Sequence, residues 1–469
     1  MNQKDYDNFI AAKVLSAPQC GLEDPPDIHP RAFPFQRDLL RWALRRGRSA
    51  LFADTGLGKT LAGCEFARIA HSVTELPSLI LTPLAVQQNF IDEGARLGIE
   101  VSRPTVLLKP GINVANYDKL HWFRGQPVGA VILDESSILK NFEGKTRNEL
   151  IAMFSDVQFK LCLTATPAPN DHTELGNTAE FLGVMTRSVM LAQFFTHDGG
   201  DTSKWRLKRH GVPAFWKWVS SWAALVRNPR DLGYESIGYD LPPIEYHEHV
   251  VPFTPEQKAE LLGKSEAKQP SLFFEARTLN DQRAARRVSI KARCDEAVRI
   301  AALYPDEPVL IWCDLNDEST YLAKNVSGAC EVTGSQEAAE KEKRLLAFGA
   351  GEHMRMVTKP DIAGFGLNWQ HCARMIFVGG SHSFETVYQA ERRCHRFGQR
   401  RPVHVHCITS EAEGRIVENL RRKRMDAATM AEEMALYSRE YVRENVTGWR
   451  RPVSRYEPTQ RMVLPQWLS

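Results

Sequence analysis

"SALFADTGLGKTLAGCEFARIA", residues 49–70, changes character twice along its length. "ALFA" is a short apolar strand, "DTGLG" is a glycine-bearing turn, and a helical pattern begins at Lys59. That order matches the phosphate-binding loop GxxxxGK[ST], with Ala53 in place of the first glycine. Gly56 and Gly58 let backbone N–H groups approach phosphate oxygens, and the helix N-terminus adds the positive end of its dipole. The expected nucleotide-binding residues are therefore Asp54, Thr55, Gly56, Leu57, Gly58, Lys59 and Thr60. Lys59 reaches the β/γ-phosphates of ATP, and the Thr60 hydroxyl ligates Mg²⁺. A chance glycine-rich turn would not require the strand before it, the helix after it and an intact GKT.

A P-loop needs an acid from a second strand to hold the metal. "VGAVILDESS" (128–137) is a buried-strand run ending in adjacent carboxylates. Asp134 is placed to hold Mg²⁺, and Glu135 to orient and deprotonate the attacking water. "SLILTPLAV" (78–86) and "FKLCLTATPAPND" (159–171) are further strands of the parallel type, the first ending at Thr82-Pro83. Four apolar strands separated by helical stretches predict an α/β fold with a doubly wound parallel sheet and its loops at one edge.

Far downstream, "YQAERRCHRFGQR" (388–400) crowds Arg392, Arg393 and Arg396 together. On a helix Arg393 and Arg396 share a face, and two guanidinium groups side by side repel unless an anion sits between them or salt screens them. The plain reading is a solvated basic face. The alternative is that the anion is the phosphate chain held by the P-loop.

Taken in order, "ADTGLGKT", "DESS", "LTATP" and "QAERRCHRFGQ" resemble the motifs of superfamily 2 helicases, most closely the Snf2-like (SWI2/SNF2) branch. "FPFQRDLLRW" (33–42) resembles that family's adenine-reading segment, with Gln36 the candidate reader. "VLIWCDLNDEST" (309–320) and "AGFGLNW" (363–369) resemble motifs IV and V. The resemblance implies two RecA-like lobes closing on one ATP, with Arg393 and Arg396 as arginine fingers from the second lobe. Lys59, Glu135, Arg393 and Arg396 become the expected catalytic set, with ATP and Mg²⁺ as cofactors. It also implies a grip on DNA, for which Thr82, Gly366 and Asn368 are candidates. Arg392 stands where the family prefers Asp, and Ala165 where it prefers Gly. The resemblance leaves Arg392 unexplained; Glu391, Glu385 or DNA are its candidate partners.

Along the chain, residues 1–30 read as a Pro-rich lead-in, 31–225 as lobe one with a helical protrusion at 190–225, and 226–245 as the inter-lobe linker. Lobe two is expected over 246–410 with a helical protrusion at 254–300, and a C-terminal helical brace over 411–469. Trp205, Trp216, Trp218 and Trp222 invite a base-stacking reading, but Phe215, Trp218 and Trp222 have core spacing and that reading is preferred. Arg283, Arg286, Arg287, Lys291 and Arg293 form a basic stripe, either a solvated face or a contact to DNA backbone. "VHVHCI" (403–408) puts His404 and His406 on one face of a strand, an alternation that needs no metal.

The bulk properties are ordinary: 469 residues, 43% hydrophobic, 25% charged, net charge +3. Any nucleic-acid surface is therefore local. Nine scattered cysteines without a CxxC pair indicate neither a disulfide framework nor a zinc ribbon. With no signal-peptide pattern and no membrane-length apolar run, the expectation is a cytoplasmic protein of a bacterial or phage-infected cell, monomeric and off the membrane. The expected partner is double-stranded or branched DNA, with targeting left to protein partners. The expected activity is that of a DNA-dependent ATPase translocating on duplex DNA to remodel nucleoprotein or branched DNA. A strand-separating DNA or RNA helicase is the alternative. A catalytically silent DNA-binding scaffold would not need Lys59, Thr60, Asp134, Glu135, Arg393 and Arg396 intact, and a small-molecule kinase would not need the second lobe's arginines.

Overall fold

The computed structural model describes residues 17–448 apart from 18, 142, 169–170, 199–200, 265–278, 364–366 and 381–382. Nine strands lie in the first half: β1 Arg48–Ala53, β2 Ser78–Thr82, β3 Val101–Ser102, β4 Ile112–Asn116, β5 Ala130–Asp134, β6 Phe159–Thr164, β7 Phe195–Asp198, β8 Asp201–Leu207 and β9 Ala223–Val226. Seven of them form a parallel sheet in the order β3-β4-β2-β5-β6-β1-β9. Every residue of β2, β5 and β6 is buried, as expected where helices cover both faces. β6 lies between β5 and β1, so the loops leaving these three neighbours emerge together at one edge.

The second half adds β10 Ile244–Val251, β11 Val309–Trp312, β12 Ala329–Val332, β13 Arg355–Thr358, β14 Arg374–Val378 and β15 Val403–Ser410. They form a second parallel sheet, in the order β10-β15-β14-β11-β13-β12. Trp312, Phe348, Trp369 and Phe377 pack together on one side of it, and Cys294, Ala297 and Ile300 belong to a separate cluster. The molecule is thus two RecA-like α/β lobes.

The structure revises two expected protrusions. In 190–225, β7 and β8 form an antiparallel hairpin where a helix was expected. The sequence between them, "DGGD", has hairpin-turn composition, and "TSKWRL" favours a strand over a helix. β9 then joins the lobe-one sheet beside β1, so this region is integral to the lobe. Trp216, Trp218 and Trp222 are 1%, 1% and 0% exposed, which removes them from base stacking. Trp222 meets Phe52 of β1 edge-on at 6.0 Å between ring centroids. In 254–300, the helix Ile290–Ala302 contributes Cys294, Ala297, Ile300 and Ala301 to the core of lobe two.

The segment between the lobes is fastened rather than loose. Asn228 and Asp231 cap the short 3₁₀ turn Pro229–Leu232, and Arg439 pairs with Asp231 at 3.1 Å. The C-terminal helix Gly414–Thr447 touches both lobes. Near its start Arg421 and Arg424 pair with Glu248 and Glu391 of lobe two, at 2.7 and 2.8 Å. Near its end Asn445 donates to the Ser220 carbonyl of lobe one at 2.9 Å. Among the described residues no helix is long and apolar enough to cross a membrane.

Arg293 does not belong to an exposed stripe. It is 0% exposed, with Nη1 2.7 Å from Glu318 Oε1, Nη2 donating to the Arg286 carbonyl at 2.6 Å, and Nε donating to Ser289 Oγ at 3.0 Å. A buried guanidinium with its own carboxylate holds lobe two together and cannot reach a phosphate backbone. Removing one partner strands the other in a low-dielectric interior. Arg293→Ala should destabilise the protein by about 3–5 kcal/mol in urea denaturation. Exposed Arg287→Ala should change stability by no more than about 0.5 kcal/mol. Equal losses in the two variants would contradict the buried-pair assignment.

Candidate nucleotide site between the lobes

The loop after β1 is built around two left-handed glycines, Gly56 and Gly58, both at φ 88°. A Cβ on Gly58 would lie 2.2 Å from Gln36 Nε2, and one on Gly56 would lie 2.7 Å from Phe397 Cβ. Conformation and space therefore both require glycine. Ala53 ends β1 in ordinary strand backbone, so a methyl is tolerated where the motif has its first glycine. Gly58 caps the helix Lys59–Thr74, whose N-terminal end faces the cleft. Lys59 Nζ donates to the Ala53 carbonyl at 2.8 Å and the Asp54 carbonyl at 3.3 Å. Burial lowers its pKa, against the opposing pull of Glu135, Asp54 and Asp134.

Gln36, the expected adenine reader, is buried and braces the loop. Its Nε2 donates to the Leu57 carbonyl at 3.0 Å, and its Oε1 accepts from Phe33 N at 2.8 Å.

Asp134 and Glu135 leave β5 toward the same cleft. Burial, then the charge of Glu135, raises the Asp134 pKa to about 7. Thr82 Oγ1 donates to Asp134 Oδ2 at 2.9 Å, and Tyr117 OH donates to the Asp134 carbonyl at 2.7 Å. Thr82 is fully buried in that bond, which corrects its expected role as a nucleic-acid contact. Glu135 adopts φ 50°, a left-handed conformation costly for a non-glycine residue, and accepts from Thr164 Oγ1 at 3.4 Å. Thr164 ends β6, and its Oγ1 also accepts from Thr166 N at 3.1 Å. The three neighbouring strands thus assemble one cluster.

Lobe two supplies the arginines. Arg393 is buried, with Nε on the Gln389 carbonyl at 2.9 Å and Nη1 on the Leu367 carbonyl at 3.3 Å. Arg396 Nη1 donates to the same Leu367 carbonyl at 2.9 Å. One carbonyl dipole therefore stands between two guanidinium groups. Burial lowers both pKa values, Arg393 to about 10 and Arg396 to about 9, the latter also through the charge of Arg393. Glu135 and Asp134 act on Arg393, and Arg396 acts on Lys59, so these groups share one electrostatic site across the lobes.

Arg392 has a different partner from those expected. It faces Asp54 of the P-loop at 3.5 Å and lies over the Tyr388 ring at 4.8 Å, while Tyr388 OH donates to Asp54 Oδ1 at 3.3 Å. The two candidate acids are engaged elsewhere: Glu391 by Arg424 and Tyr246, and Glu385 by Lys140 of lobe one. Phe397 packs against Gly56 and, at 4.7 Å between centroids, against Tyr239. Sequence reading missed Asp54, Tyr388 and Phe397 as lobe-to-lobe contacts; the unexplained charge at Arg392 was the available signal. Gln399 is structural, donating to the Cys372 and Cys394 carbonyls at 3.1 and 3.2 Å.

A cavity of about 250 Å³ lies between the lobes and the C-terminal helix, lined in part by Phe52, Pro167, Ile244, Tyr246, Met430 and Met434. Lys59, Thr60, Asp134 and Glu135 do not line it, but Asp54 and Arg392 do, so it adjoins the P-loop from the side of the lobe-to-lobe pair. Of the residues expected at nucleic acid, Arg283, Arg287, Lys291 and Asn368 are exposed, and Gly366 lies outside the described residues. Arg286 is half-buried and pairs with Asp314 at 2.9 Å.

Residues 293–398 match the family described as Helicase conserved C-terminal domain. The chain is 28% identical over 155 residues to a Bos taurus SWI/SNF-related matrix-associated actin-dependent regulator of chromatin subfamily A-like protein 1, covering 30% of this chain and 16% of that protein. It is 26% identical over 171 residues to the Mus musculus DNA annealing helicase and endonuclease ZRANB3, covering 32% of this chain and 16% of that protein. The chain thus spans about a sixth of the length of the curated relatives it matches. A solved Sulfolobus solfataricus SWI2/SNF2 ATPase core in complex with dsDNA aligns over 91% of this chain and 98% of that one, with 20% identity and a TM-score of 0.40. The helicase C-terminal match over residues 293–398 and these curated relatives make the chain similar to the Snf2-like branch of the superfamily 2 helicases.

Proposed function

We propose that this protein is a DNA-dependent ATPase that translocates on duplex DNA and remodels nucleoprotein or branched DNA. The observation that carries the reading is the convergence of Lys59, Asp134 and Glu135 from lobe one with Arg393 and Arg396 from lobe two on one buried site. The site's chemistry suits MgATP. Two left-handed glycines shape the loop where no Cβ fits, and the buried carboxylate of Asp134 beside that of Glu135 calls for a cation. Lys59 would hold the β/γ-phosphates, and Thr60 and Asp134 the Mg²⁺; the bound nucleotide supplies the γ-phosphoryl group that is hydrolysed. Glu135 takes the proton of the attacking water, with Thr164 fixing its carboxylate. Arg393 and Arg396 neutralise the charge that develops when the lobes are closed. The Arg392–Asp54 pair acts on closure itself, since it joins the nucleotide loop to the opposite lobe.

DNA as the partner is supported by the family and by what the relatives' names say of those proteins. Arg283, Arg287 and Lys291 are the exposed cations that remain of the basic stripe, and contacts of this kind suit a motor that must release and regrip. The runner-up, a strand-separating helicase, shares the ATP site and differs in what happens to the duplex.

Lys59→Ala should weaken ATP binding, whereas Glu135→Gln should leave binding largely intact and nearly abolish turnover. Equilibrium nucleotide binding and steady-state hydrolysis separate the two effects; near-normal hydrolysis by Glu135→Gln would remove it as the base. Arg393→Ala or Arg396→Ala should each lower turnover by as much as about 10³–10⁵, or roughly 4–7 kcal/mol, with a smaller change in nucleotide affinity. Arg392→Ala should act on the lobe equilibrium instead. Losing its side of a largely buried pair should favour the open form by about 2 kcal/mol or more, seen as expansion in small-angle scattering without nucleotide. Loss of turnover without expansion would make Arg392 a third finger.

For the nucleic-acid step, duplex DNA should stimulate ATP hydrolysis. Removing a stripe cation that touches phosphate should flatten the plot of log K against log salt by about one unit. With ATP, the protein should displace a third strand from a triplex and release little strand from a forked duplex. Efficient fork unwinding without triplex displacement would favour the runner-up.

A further inference from the structure

On β15 alone, His404 and His406 simply share a face of the strand. In the fold β10 runs alongside β15, with Glu245 opposite His404 and His247 opposite His406. Strand alternation places Glu245, His247 and His249 on the same face of β10, level with the two histidines of β15. A carboxylate and two imidazoles are thereby added from a segment 157 residues distant.

The resulting cluster divides into two parts. His406 is satisfied: its Nδ1 lies 3.0 Å from His249 Nε2, and its Nε2 lies 3.1 Å from Tyr304 OH. His249 is satisfied too, with Nδ1 3.2 Å from Glu296 Oε1. The other part is crowded. His404 Nδ1 lies 3.0 Å from His247 Nε2 and 3.4 Å from Glu245 Oε2. The ligand atoms of Glu245, His247 and His404 all lie within 4.8 Å of one another. Two neutral imidazole nitrogens at that separation have room for one proton between them, and the carboxylate competes for the same place. Three lone-pair donors converge where one hydrogen can serve at most two.

A divalent ion serves all three. Two imidazole nitrogens and one carboxylate oxygen are a borderline-soft donor set that suits zinc better than magnesium or calcium. The nearby Arg374, which would oppose a cation, is itself paired with Glu307 at 3.2 Å. We infer that Glu245, His247 and His404 form a binding site for a divalent transition-metal ion of the zinc type, with water completing its coordination. The ion would cross-link the first strand of lobe two to its last. β10 is an edge strand whose sheet partner is β15, and Glu245 follows directly on the segment arriving from lobe one. The site is thus a fastening at the point where the inter-lobe segment meets its lobe, separate from the nucleotide cradle.

The test uses tag-free full-length protein, stripped with a chelator and titrated with zinc chloride alone by calorimetry. One equivalent should bind, and His247→Ala or His404→Ala should weaken binding by at least about 100-fold, the upper end of the loss when even an outer-shell partner is removed. Glu245→Gln should weaken it by a smaller factor, and His249→Ala should leave it unchanged. Binding that survives in the His247→Ala/His404→Ala double variant, or no binding to the wild type, would overturn the assignment. Should the alanine variants fail to fold, anomalous scattering from zinc-soaked wild-type crystals decides. A peak about 2.0–2.2 Å from the three ligand atoms supports the site, and a peak elsewhere or none refutes it.

Discussion

Charge that is buried must be balanced by charge, and the cleft between the lobes is organised around that requirement. Lys59, Arg393 and Arg396 stand against Asp134, Glu135 and Asp54 in the cleft, with Asp134 and Arg393 buried and the others partly covered. Neither lobe is balanced by itself. Lobe one brings neighbouring carboxylates, one of them held near neutrality, and lobe two brings guanidinium groups held well below their usual pKa. The strand order that puts β6 between β5 and β1 collects the acids, and the Leu367 carbonyl keeps the two arginines side by side.

The local parts of this arrangement were legible in the sequence. A P-loop is a contiguous run whose backbone geometry is set by its own glycines, so "DTGLGKT" identifies strand, turn and helix together. "VILDE" does the same for β5 and its acids. Long-range contacts that no shared motif encodes were not legible. The sequence offers Arg392 the nearby Glu391 and Glu385, or DNA, yet its partner Asp54 lies 338 residues away. Arg293 looked like one more cation in a row because helical spacing predicts a shared face, while tertiary packing decides which face is covered. The hairpin at β7 and β8 was hidden by the aromatic helix that follows it.

Arg392 also shows how a departure from a family pattern can be informative. A resemblance transfers roles only to positions that agree, so a disagreeing position carries information specific to this chain. Here a positive charge replaces the family's preferred acid, and its partner lies in the nucleotide loop itself. The arrangement therefore has a tie that does not depend on Arg393 and Arg396, while Lys140 with Glu385 provides a second at the other end of the same short helix, Phe384–Glu391.

The C-terminal helix sets a mechanical limit on the two lobes. It is held to lobe two through Arg421 and Arg424, and from Met430 and Met434 onward it lies on the core of lobe one. Met430 lies six positions after Arg424, roughly 9 Å of helix at 1.5 Å per residue. Relative rotation of the lobes has to be absorbed in that short span, by bending it or by slipping one anchorage. The span is a short tie running in parallel with the connecting segment, so the lobes can move apart only as far as it bends or an anchorage lets go.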